Sequence, residues 1–358
     1  MKIGLVGLPL SGKTTLFNLL CETNIEVNDF LVWRNDPNQA IARVPDLRID
    51  RLSKMYNPRK TIYAQIETID LPGLRHGEGA GGNLFLQHVR QVDALVQVVR
   101  AFSADVEHVF GDVNPLRDVD TIQAELLLAD IDLVEKRILR INEGRKITAE
   151  HRLELVVLEK CLQALSVEQP MSSLELSEAE RELISHYGFL TQMPQLIACN
   201  LDEDQFRQGD FPYREQLLQW AKKREVPVMI LSAAIEEEIA KLPYDDRSLF
   251  MEDLGIAEPG AYRLAQSMYA LVDLISFFTV GEDEVRAWTI TAGLDAKKAA
   301  GKIHSDLERG FIRAETVSSD DLLTFGSMAK LKERGLVRVE GKDYIVRDGD
   351  VLHIRFNV

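Results

Sequence analysis

Near the start of the chain, Gly7-Leu8-Pro9-Leu10-Ser11-Gly12-Lys13-Thr14 has the residue types and spacing of a loop that holds phosphate groups. The chemistry is specific to the pattern G-x-x-x-x-G-K-[ST]. Glycines let the backbone wrap with its N–H groups turned inward, and a helix start behind the loop adds positive potential where an anion would lie. On this reading Leu8, Pro9, Leu10, Ser11, Gly12, Lys13, Thr14 and Thr15 embrace a nucleotide triphosphate. Lys13 reaches its terminal phosphates, and the Thr14 hydroxyl ligates Mg²⁺. The pattern requires a strand before it and a helix after it. Lys2 to Val6 reads as a buried parallel strand, and Thr15 to Leu20 has helical apolar spacing.

Further along, Gln65-Ile66-Glu67-Thr68-Ile69 reads as a strand that delivers Asp70 to its C-terminal edge, with Gly73 just beyond. Ligands of open α/β sheets bind at that edge. Asp70 is therefore expected to orient Mg²⁺ through water, and the Gly73 N–H to sense a γ-phosphate. Ala94 to Val99 is another buried strand. Gln195 to Cys199 and Val228 to Leu231 are two more of the parallel type, ending at Asn200 and Ser232. Between these elements, Glu22 to Asn57 reads as a polar, irregular first switch. Arg75 to Asn83, with Gly77, Gly79, Gly81 and Gly82, reads as a flexible second switch.

From Thr121 the pattern changes. Leu127, Ile131, Val134, Ile138 and Ile141 form a heptad seam, and after a break at Asn142-Glu143-Gly144 the rhythm resumes in Leu155, Leu158, Leu162 and Leu165. This predicts an inserted antiparallel helical hairpin, either a structural arm or a partner-binding one. Leu254 to Phe278 reads as a mostly helical bridge. From Val285 short strands alternate with one helix: Val285–Thr291, a helix through Ala296–Glu308, then Tyr344–Val346 and Val351–Phe356. The expected class is α/β: a nucleotide-binding domain over 1–122 and 192–279, the helical insertion over 123–191, and a small α+β module over 280–358.

The composition agrees. Three cysteines (Cys21, Cys161, Cys199) among 358 residues, far apart, suit reduced thiols in the cytoplasm and suit neither a disulfide framework nor a zinc site. The chain enters its first strand at once, and no run approaches transmembrane length, so neither a signal peptide nor a membrane partner is expected. A net charge of −15 argues against non-specific adhesion to nucleic acid. That acidity belongs to the first 280 residues: from Gly281 on, 13 Lys+Arg face 14 Asp+Glu, a balance of −1. Lys297, Lys298, Lys302, Arg309 and Arg313 there form either a solvated face or an RNA contact.

Taken together, these motifs resemble the YchF / Obg-like ATPase family over essentially the full length. The likeness rests on Gly7-Leu8-Pro9 with Gly12-Lys13-Thr14, Asp70 to Leu74, Gly77-Glu78-Gly79, Ala129 to Asp132, Ser232 to Glu236, Glu284 to Thr289, Gly310 to Glu315 and Gly341 to Val346. The resemblance implies a P-loop G-domain, an inserted coiled coil and a C-terminal TGS domain of β-grasp type. It also implies ATP preference over GTP, slow hydrolysis and association with the ribosome or its RNA; the chain itself is expected to be a monomer. GTPases read guanine with Asn-Lys-x-Asp; here Asn200-Leu201-Asp202-Glu203 stands in its place. A mismatched hydrogen-bond pattern costs orders of magnitude in specificity, so adenine is the expected base. Asn200, Leu201 and Glu203 are placed on one side of it and the backbone of Ser232, Ala233 and Ala234 on the other. Glu203 also reads as an ordinary surface carboxylate.

Leu74 fills the slot that holds a water-positioning glutamine in small GTPases. The resemblance assigns that work to His108, ahead of Val109-Phe110-Gly111-Asp112-Val113-Asn114-Pro115; the alternative is an imidazole packed within its loop. His76 and His88 read as surface histidines. There are departures. With Asp36-Pro37-Asn38 as landmark, Arg34, beside Trp33, takes the slot of a switch threonine, and arginine cannot ligate Mg²⁺, although it can pair with phosphate. Leu10 replaces the asparagine that supports a potassium ion in the family. Both weaken the expectation of fast hydrolysis and leave binding intact.

Overall fold

The computed structural model describes residues 1–27, 35–74, 84–103 and 108–357. Trp33, Arg34, His76 and the glycine run of the second switch lie outside the described residues. The chain divides into two compact units, Met1–Ala40 with Glu67–Ala261, and Ile41–Ile66 with Tyr262–Val358.

The first unit is built on the parallel strands β1 (Lys2–Val6), β4 (Ala64–Asp70), β5 (Ala94–Arg100), β6 (Gln195–Asn200) and β7 (Val228–Leu231), with β2 (Asn38–Val44) at the edge. Their order is β2-β4-β1-β5-β6-β7. Strands buried on both faces read as continuous apolar runs, and β5 is buried at all seven positions. The register pairs Leu5 with Asp70, Arg100 with Asn200 and Asn200 with Leu231, so the expected ligand-binding residues emerge side by side at one sheet edge. Helices α1 (Lys13–Cys21), α3 (Leu84–Val89), α7 (Glu203–Gln208), α8 (Arg214–Lys223), α9 (Ala233–Lys241) and α10 (Tyr244–Asp253) connect or flank these strands.

Also in this unit, α4 (Pro115–Asn142) and α5 (Ala149–Ser166) bury Val134, Ile141, Leu158 and Leu165 against one another, with Leu127, Ile131, Ile138, Leu155 and Leu162 packed beside them. The seam residues are those read from the heptad spacing. Helix α4 starts at Pro115, six residues before the change of pattern at Thr121, because Asn114 accepts a hydrogen bond from the Arg117 N–H and Pro115 takes the first turn. Helix α6 (Glu178–Ile184) closes the cluster with a Ser177/Glu180 capping box. Asp130 is fully buried and accepts the N–H groups of Leu190 and Thr191 at 2.9 and 2.8 Å, tying the returning chain to α4.

Expectation and structure part in the stretch read as an irregular first switch. Residues 38–62 form β2, α2 (Leu47–Tyr56) and β3 (Lys60–Ile62). Asp46 caps α2 by accepting the Arg48 N–H, and Ile49 and Leu52 bury one stripe of an otherwise charged helix. The second unit carries the sheet β11-β10-β12-β8-β9-β3, from β8 (Leu274–Val280), β9 (Glu284–Thr291), β10 (Phe311–Ser318), β11 (Arg338–Glu340) and β12 (Asp350–Phe356) with β3 at the edge. The expected bridge, Leu254 to Phe278, is helical only through α11 (Gly260–Leu271), after which β8 enters this sheet. A boundary at residue 280 therefore falls at the end of one of the sheet's own strands. The expected helix through Glu308 breaks at His304 into α12 (Ala296–Ile303) and α13 (Ser305–Arg309). Tyr344–Val346 forms one bridge, Asp295 with Ile345, instead of a strand. Helices α14 (Ser319–Phe325) and α15 (Met328–Glu333) complete the unit.

Candidate nucleotide site

The turn after β1 is fixed by steric limits. A Cβ on Gly7 would lie 2.5 Å from the Val98 carbonyl oxygen, and one on Gly12 would lie 2.2 Å from Asn200 Nδ2. Gly12 also has φ +85°, and Leu10 takes φ +62°, a left-handed conformation that costs a non-glycine residue about 1 kcal/mol. Asparagine tolerates that conformation better than leucine. The alternation of hand turns successive backbone N–H groups to one side, the geometry of an anion nest. Helix α1 follows directly with no side-chain cap on its first N–H groups, which leaves them for an anion. Ser11 Oγ is buried beside them with no protein partner among the described residues. Leu8 is 5% exposed and lies in the core, so only its backbone faces the loop.

At the floor of the loop, Lys13 Nζ donates to Asp70 Oδ1 at 2.9 Å and Thr14 Oγ1 donates to Asp70 Oδ2 at 3.0 Å. Lys13 and Asp70 are 7% and 1% exposed. Two charges so deeply buried are tolerated only when paired. Asn38 Nδ2, at the start of β2, donates to the same Asp70 Oδ2 at 3.1 Å. The sequence marked Asn38 only as part of a landmark; the structure makes it a third hand on the carboxylate. Gly73 lies against the loop from the other side, where an added Cβ would sit 3.3 Å from Pro9 Cγ. Thr15 lies in the first turn of α1. One hydroxyl and one carboxylate at a phosphate nest suit a hard cation that keeps most of its other ligands from water and phosphate, which is the habit of Mg²⁺.

The side expected to meet the base departs from expectation. Asn200 does not simply face outward: its Nδ2 donates to the Ser11 carbonyl at 3.1 Å and its Oδ1 accepts the Ala233 N–H at 2.9 Å. It is a strut between the phosphate loop and the start of α9. Leu201 is 1% exposed and packs into the core with Val99, Ala101 and Leu217, so its side chain is withdrawn from a base. Glu203 is half exposed and bonds Arg207 at 3.0 Å, one helical turn on, which fits the surface-carboxylate alternative. Asp202 caps α7 and accepts the Ser103 N–H at 3.1 Å. Ser232 caps α9, and Ala233 and exposed Ala234 form its first turn, with the Ala233 N–H already taken by Asn200.

Phe102 was missed. It is half-buried, its N–H bonds the Asn200 carbonyl at 3.2 Å, and its ring edge lies 4.0 Å from where a Gly12 Cβ would be. The Arg100 guanidinium braces the ring at 4.6 Å. An aromatic two residues past the end of β5, opposite the end of β6, was the available signal.

His108 is 4% exposed. Its Nδ1 accepts the Phe110 N–H at 3.1 Å, so Nε2 carries the proton and donates to Asp118 Oδ2 at 2.8 Å. Arg117 holds the other Asp118 oxygen at 3.1 Å, and burial raises the carboxyl's pKa above the usual range against the pull of His108. With both ring nitrogens engaged, His108 orients no water in this conformation, and the packed-imidazole alternative describes it. Leu74 is 3% exposed and also faces the core. The three thiols are free, and burial pushes Cys21 and Cys161 up to about 11 and Cys199 to about 12, which makes them poor nucleophiles. No group of three or more His, Cys, Asp or Glu among the described residues forms a metal cluster.

Comparison with known proteins agrees with this geometry. Residues 2–141 match the model of 50S ribosome-binding GTPases, and residues 274–357 match YchF-GTPase_C, described as a protein of unknown function. The chain is 44% identical to the "Ribosome-binding ATPase YchF" of Bacillus subtilis over 99% of both chains. The chain belongs to the YchF family. The protein of the same name from Escherichia coli O157:H7 is 42% identical over 100% of this chain and 99% of its own length. The solved structure of the Schizosaccharomyces pombe YchF GTPase matches with a TM-score of 0.85 at 30% identity, over 99% of this chain and 97% of that one. As in that family, the nucleotide corner sits in an α/β unit with a mostly parallel sheet, and a separate α/β unit follows.

Proposed function

We propose that the chain is a nucleotide switch of the YchF type, which binds and slowly hydrolyses ATP and acts on the ribosome as a cytoplasmic monomer. The observation that carries this reading is the Lys13–Asp70–Thr14 corner beneath an uncapped helix start. A triphosphate would take the Lys13 ammonium and leave Asp70, with the Thr14 hydroxyl, to hold Mg²⁺. When bound, Mg²⁺ would supply charge neutralisation for the triphosphate. The residues do the rest: the loop from Leu8 to Thr15 orients the phosphates, Ser11 Oγ gains its missing partner, and the Gly73 N–H meets the γ-phosphate beside Pro9. The preference for ATP is supported on the base side. Guanine needs a buried acceptor for two donors, but Asp202 is committed to α7 and Ser103, and Glu203 lies in solvent with Arg207. Phe102 and the backbone at Ala234 suit a base held by its face and one edge. The bacterial relatives named as ribosome-binding ATPases support both the hydrolysis and the ribosomal partner, and among the described residues no helix is long and apolar enough to cross a membrane.

One observation favours a second reading, a nucleotide-responsive binding protein with little turnover: both His108 nitrogens are occupied, by Asp118 and Phe110. For His108 to hold the attacking water it must leave Asp118. Steady-state turnover of Mg·ATP and Mg·GTP by wild type, Lys13→Ala, Asp118→Asn and the Asp118→Asn/His108→Ala pair separates the two. Turnover that rises in Asp118→Asn and falls again in the double variant supports a catalytic His108. No turnover in any of the four, with ATP still bound by wild type, establishes the second reading.

A further inference from the structure

The second unit contains a cleft of about 490 Å³ that is independent of the nucleotide site. Its walls include six consecutive residues of β12, Val351 to Phe356. Successive side chains of a strand point to opposite faces, so an unbroken run along a wall marks the strand's backbone edge, not one of its faces. The register explains why that edge is open. Toward β10, β12 is paired from Asp350–Ser318 to Phe356–Phe311. Toward β8 it is paired at Val351–Phe278, and the two strands then part, while β8 stays with β9 through Val280–Val285. β12 outruns β8, which ends at Val280, two residues past that pair, and the cleft lies along the overhang.

Its floor is apolar, from Val280, Trp288, Ile303, Leu307 and Ile354. Its mouth is charged and unbalanced. Glu315 alone serves two cations, Arg355 at 3.2 Å and Lys332 at 3.4 Å, whose side chains are 48% and 55% exposed. On the facing wall Glu284 has its own cation, Arg286, at 4.0 Å. One positive charge is thus left over on the β12 side. Burial and Arg355 hold the His353 imidazole below its ordinary pKa, so it neither adds to that charge at neutral pH nor offsets it.

We propose that the cleft receives an extended segment of a partner protein, which adds a strand to the open edge of β12. The segment carries alternating aliphatic residues that enter the floor and one carboxylate that meets Lys332 and Arg355. Main-chain hydrogen bonds supply the affinity of such strand addition, and alternate side chains supply the choice of sequence. The edge from Leu352 to Phe356 accommodates about five residues, or roughly 16 Å of strand. A nucleic-acid strand is disfavoured because Trp288, the ring a base would seek, already has Phe277 stacked at 6.3 Å and 15° and the Arg286 guanidinium 3.8 Å over its face.

The test selects random heptapeptides displayed on phage against the full chain, synthesises the recovered consensus, and maps its binding by amide NMR. The expected consensus alternates aliphatic residues and includes one Asp or Glu, with saturable shifts at Val280 and Leu352 to Phe356. Methylating its central backbone nitrogens should abolish binding. Lys332→Ala and Arg355→Ala, both at half-exposed sites that leave the fold intact, should each weaken it about fivefold. Absence of a consensus, shifts that map elsewhere, or binding indifferent to backbone methylation would overturn the proposal. So would a single-stranded oligouridylate that shifts the same amides and competes with the peptide.

Discussion

The two halves of the nucleotide site are built on different principles. On the phosphate side the polar groups are buried or half-buried and hold one another: Lys13, Thr14 and Asn38 all converge on Asp70, and Asn200 spans Ser11 and Ala233. On the base side the polar groups are at the surface or committed elsewhere: Glu203 to Arg207, Asp202 to the start of α7. A buried network has one low-energy arrangement because each unpaired group would be costly. A surface pair is worth little and constrains little. The phosphate half is therefore preorganised for one chemistry, whereas the proposed base half would select by what its described residues lack.

The contrast breaks first at Lys13. Lys13→Ala leaves Asp70 buried without its cation and removes the phosphate contact, so turnover should fall by about 10² or more; steady-state phosphate release measures it, and a fall below tenfold would place the phosphates elsewhere. Next is Gly12→Ala, whose new Cβ meets Asn200 Nδ2 and whose φ stays left-handed. It should destabilise the loop by about 2 kcal/mol and weaken nucleotide binding with it, both readable from thermal unfolding with and without ATP. On the other half, Phe102→Ala should weaken ATP about tenfold through lost stacking and leave the unfolding midpoint of the free protein nearly unchanged. Smallest of all, Glu203→Gln should change ATP affinity less than about twofold, since it disturbs only an exposed pair. An equilibrium titration in which Glu203→Gln outweighs Phe102→Ala would reverse the assignment of the base side.

The same contrast decides what was legible in the sequence. The phosphate loop, Asp70 and the edge position of Asn200 could be read because their chemistry demands fixed residue types at fixed spacing on parallel strands. The strut role of Asn200 was hidden because it depends on Ser11, 189 positions away, reaching the same point in space. Glu203 and Leu201 were placed by analogy with a motif, and neither spacing nor type reveals that one side chain turns to Arg207 and the other to the core. Phe102 went unread because a single aromatic after a strand carries no periodic signal. Residues 38–57 fell in the stretch taken as irregular since β2 is largely unburied and α2 is rich in charge; only Ile49 and Leu52 mark its buried stripe. β8 was absorbed into a helical reading because Leu274 to Phe278 is apolar without alternation, a run that periodicity alone cannot assign. The seam of α4 and α5, in contrast, repeats often enough to identify itself.

The proposal joins a phosphate corner that would grip either triphosphate to a base side with no buried carboxylate for guanine among the described residues. Calorimetric titration of Mg·ATP and Mg·GTP into the full chain, in wild type and Lys13→Ala, tests both halves together. Wild type should bind ATP at least about tenfold more tightly than GTP, and Lys13→Ala should lose most of both. GTP bound more tightly than ATP, or nucleotide bound equally well without the lysine, would contradict it.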